Sequence, residues 1–160
     1  MKRILQVAVV LMAASAWAQD AVVYRLQFSL RETESGKAAE TRNYSMLVLP
    51  NINNRLSAGT KVPVPTGPAN SSSFTYVDVG VSVRAKLEER GPQLLLNAEF
   101  EVSNLGVERE NNGRPAPRIQ QLRAIVDTAI VPGQATPIAT IDDPASPRRY
   151  EIQVTATKLK

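Results

Sequence analysis

The sequence predicts an all-β fold, an antiparallel β-sandwich or curled sheet of about eight strands. Three observations carry this expectation. Two apolar runs, Tyr76–Val83 and Leu94–Val102, alternate with period two and are joined by a turn at Glu89-Arg90-Gly91-Pro92, the pattern of a β-hairpin. Further alternating runs stand at Val22–Leu30, Tyr44–Leu49 and Tyr150–Ala156. Clusters of Gly, Pro, Asn, Asp and Ser separate them, the residues that set turns.

The N-terminus reads differently. Lys2-Arg3 precede an apolar run from Ile4 to Ala14, broken only by Gln6, and Ala16-Trp17-Ala18 follow before Gln19. A basic region, a short apolar region and small residues at −3 and −1 predict a secretory signal peptide over residues 1–18, cleaved after Ala18. The run is shorter than the roughly 20 residues that span a bilayer. No cysteine follows it to carry an acyl anchor. Residues 19–160 are then expected to form one β-domain with a long loop at 51–73.

Composition narrows the chemistry. Of 19 basic residues, Lys2 and Arg3 leave with the signal, so 17 basic face 15 acidic residues in the mature chain. No basic run with interleaved aromatics supports nucleic-acid binding. With no cysteine, disulfides and thiolate chemistry are excluded; with no histidine, so are imidazole bases, Ser-His-Asp triads and His metal ligands. Carboxylates remain, but no motif frames a catalytic pair, and an enzyme is not expected.

Along the chain, Val22, Tyr24, Leu26, Phe28 and Leu30 share one face of a half-buried strand. Arg31–Arg42 is polar and reads as a hairpin loop, because a helix there has no apolar face to bury. Tyr44–Leu49 is the second strand, stopped by Pro50-Asn51. Asn51–Ser73, rich in Asn, Gly, Pro and Ser, reads as a long irregular connection. Within it Leu56–Val64 suits a short edge strand, since Pro63 and Pro65 cannot donate ladder hydrogen bonds.

In the central hairpin Val77, Val79, Val81, Val83, Ala85 and Leu87 face one way, and the return strand turns Leu94, Leu96, Ala98, Phe100 and Val102 inward. Arg84 and Lys86 are placed for cross-strand pairs with Glu99 and Glu101. Asn104–Pro117 reads as a polar loop. Arg118–Val131 fits both a helical and a period-two pattern; its β-branched content and its neighbours favour strand. Pro137–Ile141 is a short strand, and Tyr150–Ala156 closes the sheet.

The order of these segments carries a resemblance. Gly59-Thr60-Lys61-Val62-Pro63-Val64-Pro65, a Ser-rich gap, then Phe74-Thr75-Tyr76-Val77-Asp78-Val79-Gly80-Val81 resemble the start of the secretin domain of type II and type III secretion and type IV pilus systems. In that family a Gly-x-x-x-Pro strand precedes a Tyr-x-Asp-Val-Gly-like strand. Gln93–Ser103 is similar to the next strand with its Glu-x-Ser ending, here Glu101-Val102-Ser103. Pro117–Val131 and the Pro132-Gly133-Gln134 turn resemble the segment that follows. The match is partial.

The resemblance implies an envelope-exposed β-fold, related to the C-terminal β-domain that builds the outer-membrane ring. The chain departs from it in three places. There is no extended gate hairpin between Leu87 and Gln93, and Pro137–Asp142 replaces the Gly-rich close. Outward Arg84, Lys86, Glu99 and Glu101 interrupt the apolar band of a transmembrane barrel, so no stable membrane insertion is expected.

The expected function is non-catalytic protein–protein contact in the bacterial cell envelope, at a secretion or pilus apparatus. The partner is an envelope protein or a second copy of the chain, and the location is periplasmic, with association at the outer membrane left open. Family-motif and candidate contact residues are Gly59, Pro63, Tyr76, Asp78, Gly80 and Ser82. The alternative is a periplasmic small-molecule or carbohydrate-binding β-domain that uses aromatic residues in a sheet concavity. No catalytic, metal or cofactor site is expected. Asp142-Asp143 reads as a solvated turn, Arg148-Arg149 as a solvated strand entry, and most aromatics as core.

Overall fold

Period-two alternation places the apolar half of each strand on one face, and two such faces close on each other to form the core. The computed structural model describes residues 22–66, 73–106, 109–111, 114–116 and 118–159. The expected signal peptide lies outside the described residues. The described residues form β1 (Val23–Glu34), β2 (Glu40–Val48), β3 (Asn54–Pro65), β4 (Phe74–Arg90), β5 (Gln93–Leu105), β6 (Arg109–Asn111), β7 (Arg114–Ala116), β8 (Ile119–Ile130), β9 (Thr136–Asp142) and β10 (Arg148–Leu159). Eight of these make two four-stranded antiparallel sheets, in the orders β2-β1-β10-β9 and β3-β4-β5-β8. The sheets form a sandwich and do not close into a barrel. β6 and β7 pair as a small ribbon of their own.

The core is the seam between the sheets. Tyr24, Leu26, Phe28 and Leu30 from β1 and Tyr150, Ile152, Val154 and Ala156 from β10 meet the inward faces of β4 and β5. Phe28 and Phe100 touch edge to face across the seam, with centroids 5.1 Å apart and an interplanar angle of 68°. Each buried Val, Leu or Phe contributes roughly 1.5–3 kcal/mol before conformational entropy is subtracted. Polar links stitch the layers near their rims. Tyr24 donates from its hydroxyl to Glu89 at 2.5 Å, and the Asn104 side-chain amide donates to the Tyr150 hydroxyl at 3.1 Å.

Several expectations change in extent. The polar stretch after Leu30 stays in register with β10 as far as Glu34, so the β1–β2 turn is short. The turn between β4 and β5 contracts to Gly91-Pro92, with Gly91 at φ 61°. Of the expected long loop at 51–73, Asn54–Pro65 is strand, and residues 67–72 lie outside the described residues. β3 pairs with β4 from Asn54↔Ala85 to Pro65↔Phe74, so the edge-strand reading of Leu56–Val64 holds and extends. Its prolines are tolerated because one side of β3 faces no neighbour. β5 runs three residues past Val102, and part of the expected loop at Asn104–Pro117 is the β6–β7 ribbon.

The ambiguous segment is strand β8, antiparallel to β5 from Leu94↔Ile130 to Leu105↔Ile119. Leu122 and Ile130 are buried while Ile125 is 62% exposed, a period-two result. On β9, Pro137 sits where the register with β10 shifts, at the edge of its sheet.

Candidate interaction surface

The pairing of β3 with β4 brings all six sequence-predicted contact residues onto one ribbon. Gly59 lies opposite Gly80, Pro63 opposite Tyr76, and Ser82 opposite Ser57. Asp78 lies opposite Lys61, whose Nζ is 3.2 Å from its carboxylate. Both charges are exposed, so this pair adds little stability.

The glycine pair has a steric origin. A Cβ on Gly59 would collide with the Val79 carbonyl oxygen, and a Cβ on Gly80 with that of Ala58. Gly80 also has φ 146°, a backbone state that side chains disfavour. At this point the sheet divides. β4 pairs with β5 only from Val81↔Val102 onward, while β5 continues with β8 for three more residues. Residues 74–80 of β4 therefore keep β3 alone and project from the sheet as a two-stranded ribbon.

Ser103 sits in the fork, only 6% exposed. Its Oγ accepts the Gly80 N–H at 3.0 Å and lies 3.3 Å from the Gly80 carbonyl and 3.4 Å from that of Asp78. Sequence reading noted Ser103 only as the end of Glu-x-Ser and missed this role. In the structure Val102 and Ser103 are buried in succession, a break in the period-two alternation of β5.

The projecting ribbon exposes Phe74 (54%) and Tyr76 (64%), so these two aromatics stand apart from the core set. The extended ribbon thus lies between β3 and β4 rather than between Leu87 and Gln93. β3 and β8 are the two edges of this sheet, each 12 residues long.

Several charges on the outer face are paired. Glu99 holds Arg84 at 3.0 Å and Arg123 at 2.8 Å. Partial burial pushes its carboxyl up, yet the two guanidinium groups hold it below the usual range. Lys86 pairs with Glu88 on its own strand instead of crossing to Glu99 or Glu101.

The Asp142-Asp143 turn is not simply solvated. Asp143 is 6% exposed and accepts from the Ser146 hydroxyl at 2.5 Å, the Ala145 N–H at 2.9 Å and the Gln120 side-chain amide. Burial pushes its carboxyl up, but these bonds and nearby Arg148 outweigh burial and hold it low. Asp142 meets Arg149 at 2.7 Å, and that guanidinium holds its carboxyl low. Arg148 faces Glu32 and Glu34 at 3.6 and 3.5 Å, so the Arg pair is anchored rather than free. Among the described residues no group of three or more acidic side chains is placed to hold a metal ion.

No family profile matches this sequence, and no curated protein matches it by sequence. Solved structures do match in fold. GspD, the type II secretion system secretin of E. coli K12, superposes with a TM-score of 0.59 at 10% identity, over 88% of this chain and 49% of that one. The secretin domain β-barrel of InvG from the Salmonella SPI-1 injectisome gives 0.54 at 10% identity, over 87% and 61%. The V. cholerae type IV competence pilus secretin PilQ gives 0.54 at 10% identity, over 86% and 58%. The chain therefore spans about half to three-fifths of the length of these proteins. These superpositions show that this chain has the fold of the secretin β-domain.

Proposed function

We propose that this chain is a non-catalytic, exported secretin-like β-domain that works by protein–protein contact in the bacterial cell envelope, at a secretion or pilus apparatus. The observation that supports this reading is the pair of open edges on one sheet, β3 and β8. Four antiparallel strands leave these edges running in opposite directions. β8 of one copy laid against β3 of the next therefore continues the antiparallel ladder. Such a head-to-tail contact propagates and closes into a ring where the rotation allows. β3 and β8 are each 12 residues long, and neither Pro nor Gly interrupts β8, whose Gln120 end is tied to the β9–β10 turn. An exposed edge of that length is a template for strand addition.

The partner is then a second copy of the chain or an envelope protein that presents a strand. Gly59, Pro63, Tyr76, Asp78, Gly80 and Ser82 are proposed contacts: the first five lie where the β3–β4 ribbon stands clear of β5, and Ser82 lies at its base. Residues 1–18 act as the export signal in this reading, and residues 19–160 as the periplasmic domain.

Light scattering and cross-linking of residues 19–160 test the edge contact. The chain is expected to form oligomers or to capture an envelope partner through β3 or β8. Ile125→Pro and Val126→Pro remove adjacent N–H groups that point to opposite sides of β8, so one of the two spares the β5 ladder and blocks only the open edge. That variant is expected to keep its circular dichroism spectrum and lose association. A parent chain that stays monomeric and captures nothing overturns the reading.

A further inference from the structure

The outer face of the β3-β4-β5 sheet carries a polar groove that edge pairing leaves uncovered. Two adjoining depressions of about 300 and 310 Å³ share Arg55 as a common wall. Together they run from Asn54 to Lys61 along β3, roughly 23 Å at about 3.3 Å per residue. The floor is low because Gly59 and Gly80 have no side chains and cannot take any. Next to them Ser57 and Ser82 present hydroxyls 3.5 Å apart.

We propose that this groove binds an uncharged oligosaccharide. Charge is the first argument. Lys61 is paired with Asp78, Arg84 with Glu99, and Lys86 with Glu88 on its own strand. Among the groove's other charges, Arg55 bonds only the Ser57 hydroxyl, at 3.2 Å, and Glu101 has no partner among the described residues. The groups left unpaired are one guanidinium and one carboxylate, so the groove offers no excess of unpaired charge to a charged ligand. Both groups retain hydrogen-bonding capacity suited to vicinal hydroxyls.

The kind of polar group decides between ligand classes. Backbone N–H and C=O groups of β4 across the groove floor are largely taken by β3 and β5, so a peptide strand finds few ladder partners on this face. The walls are hydroxyl, carboxamide, guanidinium and carboxylate, with Asn54 and Asn97 at the far end, which does not suit an apolar ligand. Two register steps beyond the Lys61–Asp78 pair toward the ribbon tip, on the same face of β4, Tyr76 offers a 64% exposed ring for stacking on a sugar face. The groove lies on the sheet face, so its occupancy is independent of association through β3 and β8.

Isotope-labelled residues 19–160 titrated with cellotetraose, N-acetylglucosamine tetramer and tetragalacturonate test the inference. At least one neutral tetramer is expected to shift the amides of Ser57, Gly59, Gly80 and Ser82 saturably, with tetragalacturonate far weaker. Arg55→Gln and Glu101→Gln are each expected to weaken binding about tenfold with an unchanged melting temperature. Absence of saturable shifts with both neutral tetramers, stronger binding of the charged one, shifts centred elsewhere, or unimpaired variants overturn it. Oligomeric state measured on the same samples reads the edge contact separately.

Discussion

The Gly80 N–H donates to Ser103 Oγ at 3.0 Å where β4 parts from β5. Beyond this point β4 keeps one neighbour, so its backbone groups on the β5 side need another partner. Ser103 supplies it from a buried position. Ser103→Ala leaves a part-buried N–H unsatisfied and is expected to cost about 1–3 kcal/mol. Urea unfolding followed by circular dichroism measures this; a loss below a few tenths of a kcal/mol would show that the hydroxyl holds nothing.

The glycine pair separates steric from conformational cost. Gly36 has φ 79° with no atom near its missing Cβ, whereas Gly80 has both positive φ and a blocked Cβ, and Gly59 has only the block. Gly36→Ala is expected to cost about 1 kcal/mol through backbone strain alone. Gly80→Ala should cost more than Gly36→Ala because the opposing backbone must also move, and Gly59→Ala should disturb the ribbon without a φ penalty. Melting temperatures of the three variants rank the effects. Equal losses at Gly36 and Gly80 would mean that the two strands separate freely there.

Much of the fold is legible in the sequence. Strand faces followed from alternation, and Leu94, Leu96, Ala98, Phe100 and Val102 are all buried as that pattern requires. Gly59, Pro63, Tyr76, Asp78, Gly80 and Ser82 are marked in the sequence by motif, and antiparallel pairing of β3 with β4 places them on these two strands. β3 was harder to read because its prolines and glycine resemble a loop, and only pairing with β4 outweighs those local preferences. Asp143 and Ser103 were not legible. Their burial depends on Gln120 and Gly80, 23 residues away in each case, a distance no local pattern encodes.

Tyr24 links the two layers by donating to Glu89, with Lys158 3.7 Å from the same carboxylate. Burial first, then the hydrogen bond and charge of Glu89, push its phenol up to about 12. A raised phenol pKa means the folded state retains a proton that the unfolded chain releases. Stability from this site is full below about pH 10 and falls as pH rises toward 12, by on the order of 2 kcal/mol. Unfolding free energies of the parent and Tyr24→Phe across that range test it. The phenylalanine variant should show a shallower alkaline decline, and parallel curves would remove Tyr24 as the cause.

Asp143 fixes the β9–β10 turn to β8 through Gln120, and so ties one sheet to the other. Its carboxyl is held low, so the folded state favours the ionised form more than the unfolded chain does. The stabilisation is present above the ordinary aspartate pKa of about 3.9 and lost as pH falls through the lower folded value. Asp143→Ala removes the acceptor for Gln120, Ala145 and Ser146 and is expected to destabilise by about 1–3 kcal/mol at neutral pH. Asp143→Asn keeps one oxygen and should lose less. Both variants should also lose the part of the acid-induced decline that this carboxylate causes. Denaturant midpoints at neutral and acid pH separate the cases: an alanine variant as stable as the parent at neutral pH would show that the turn stands without the buried carboxylate.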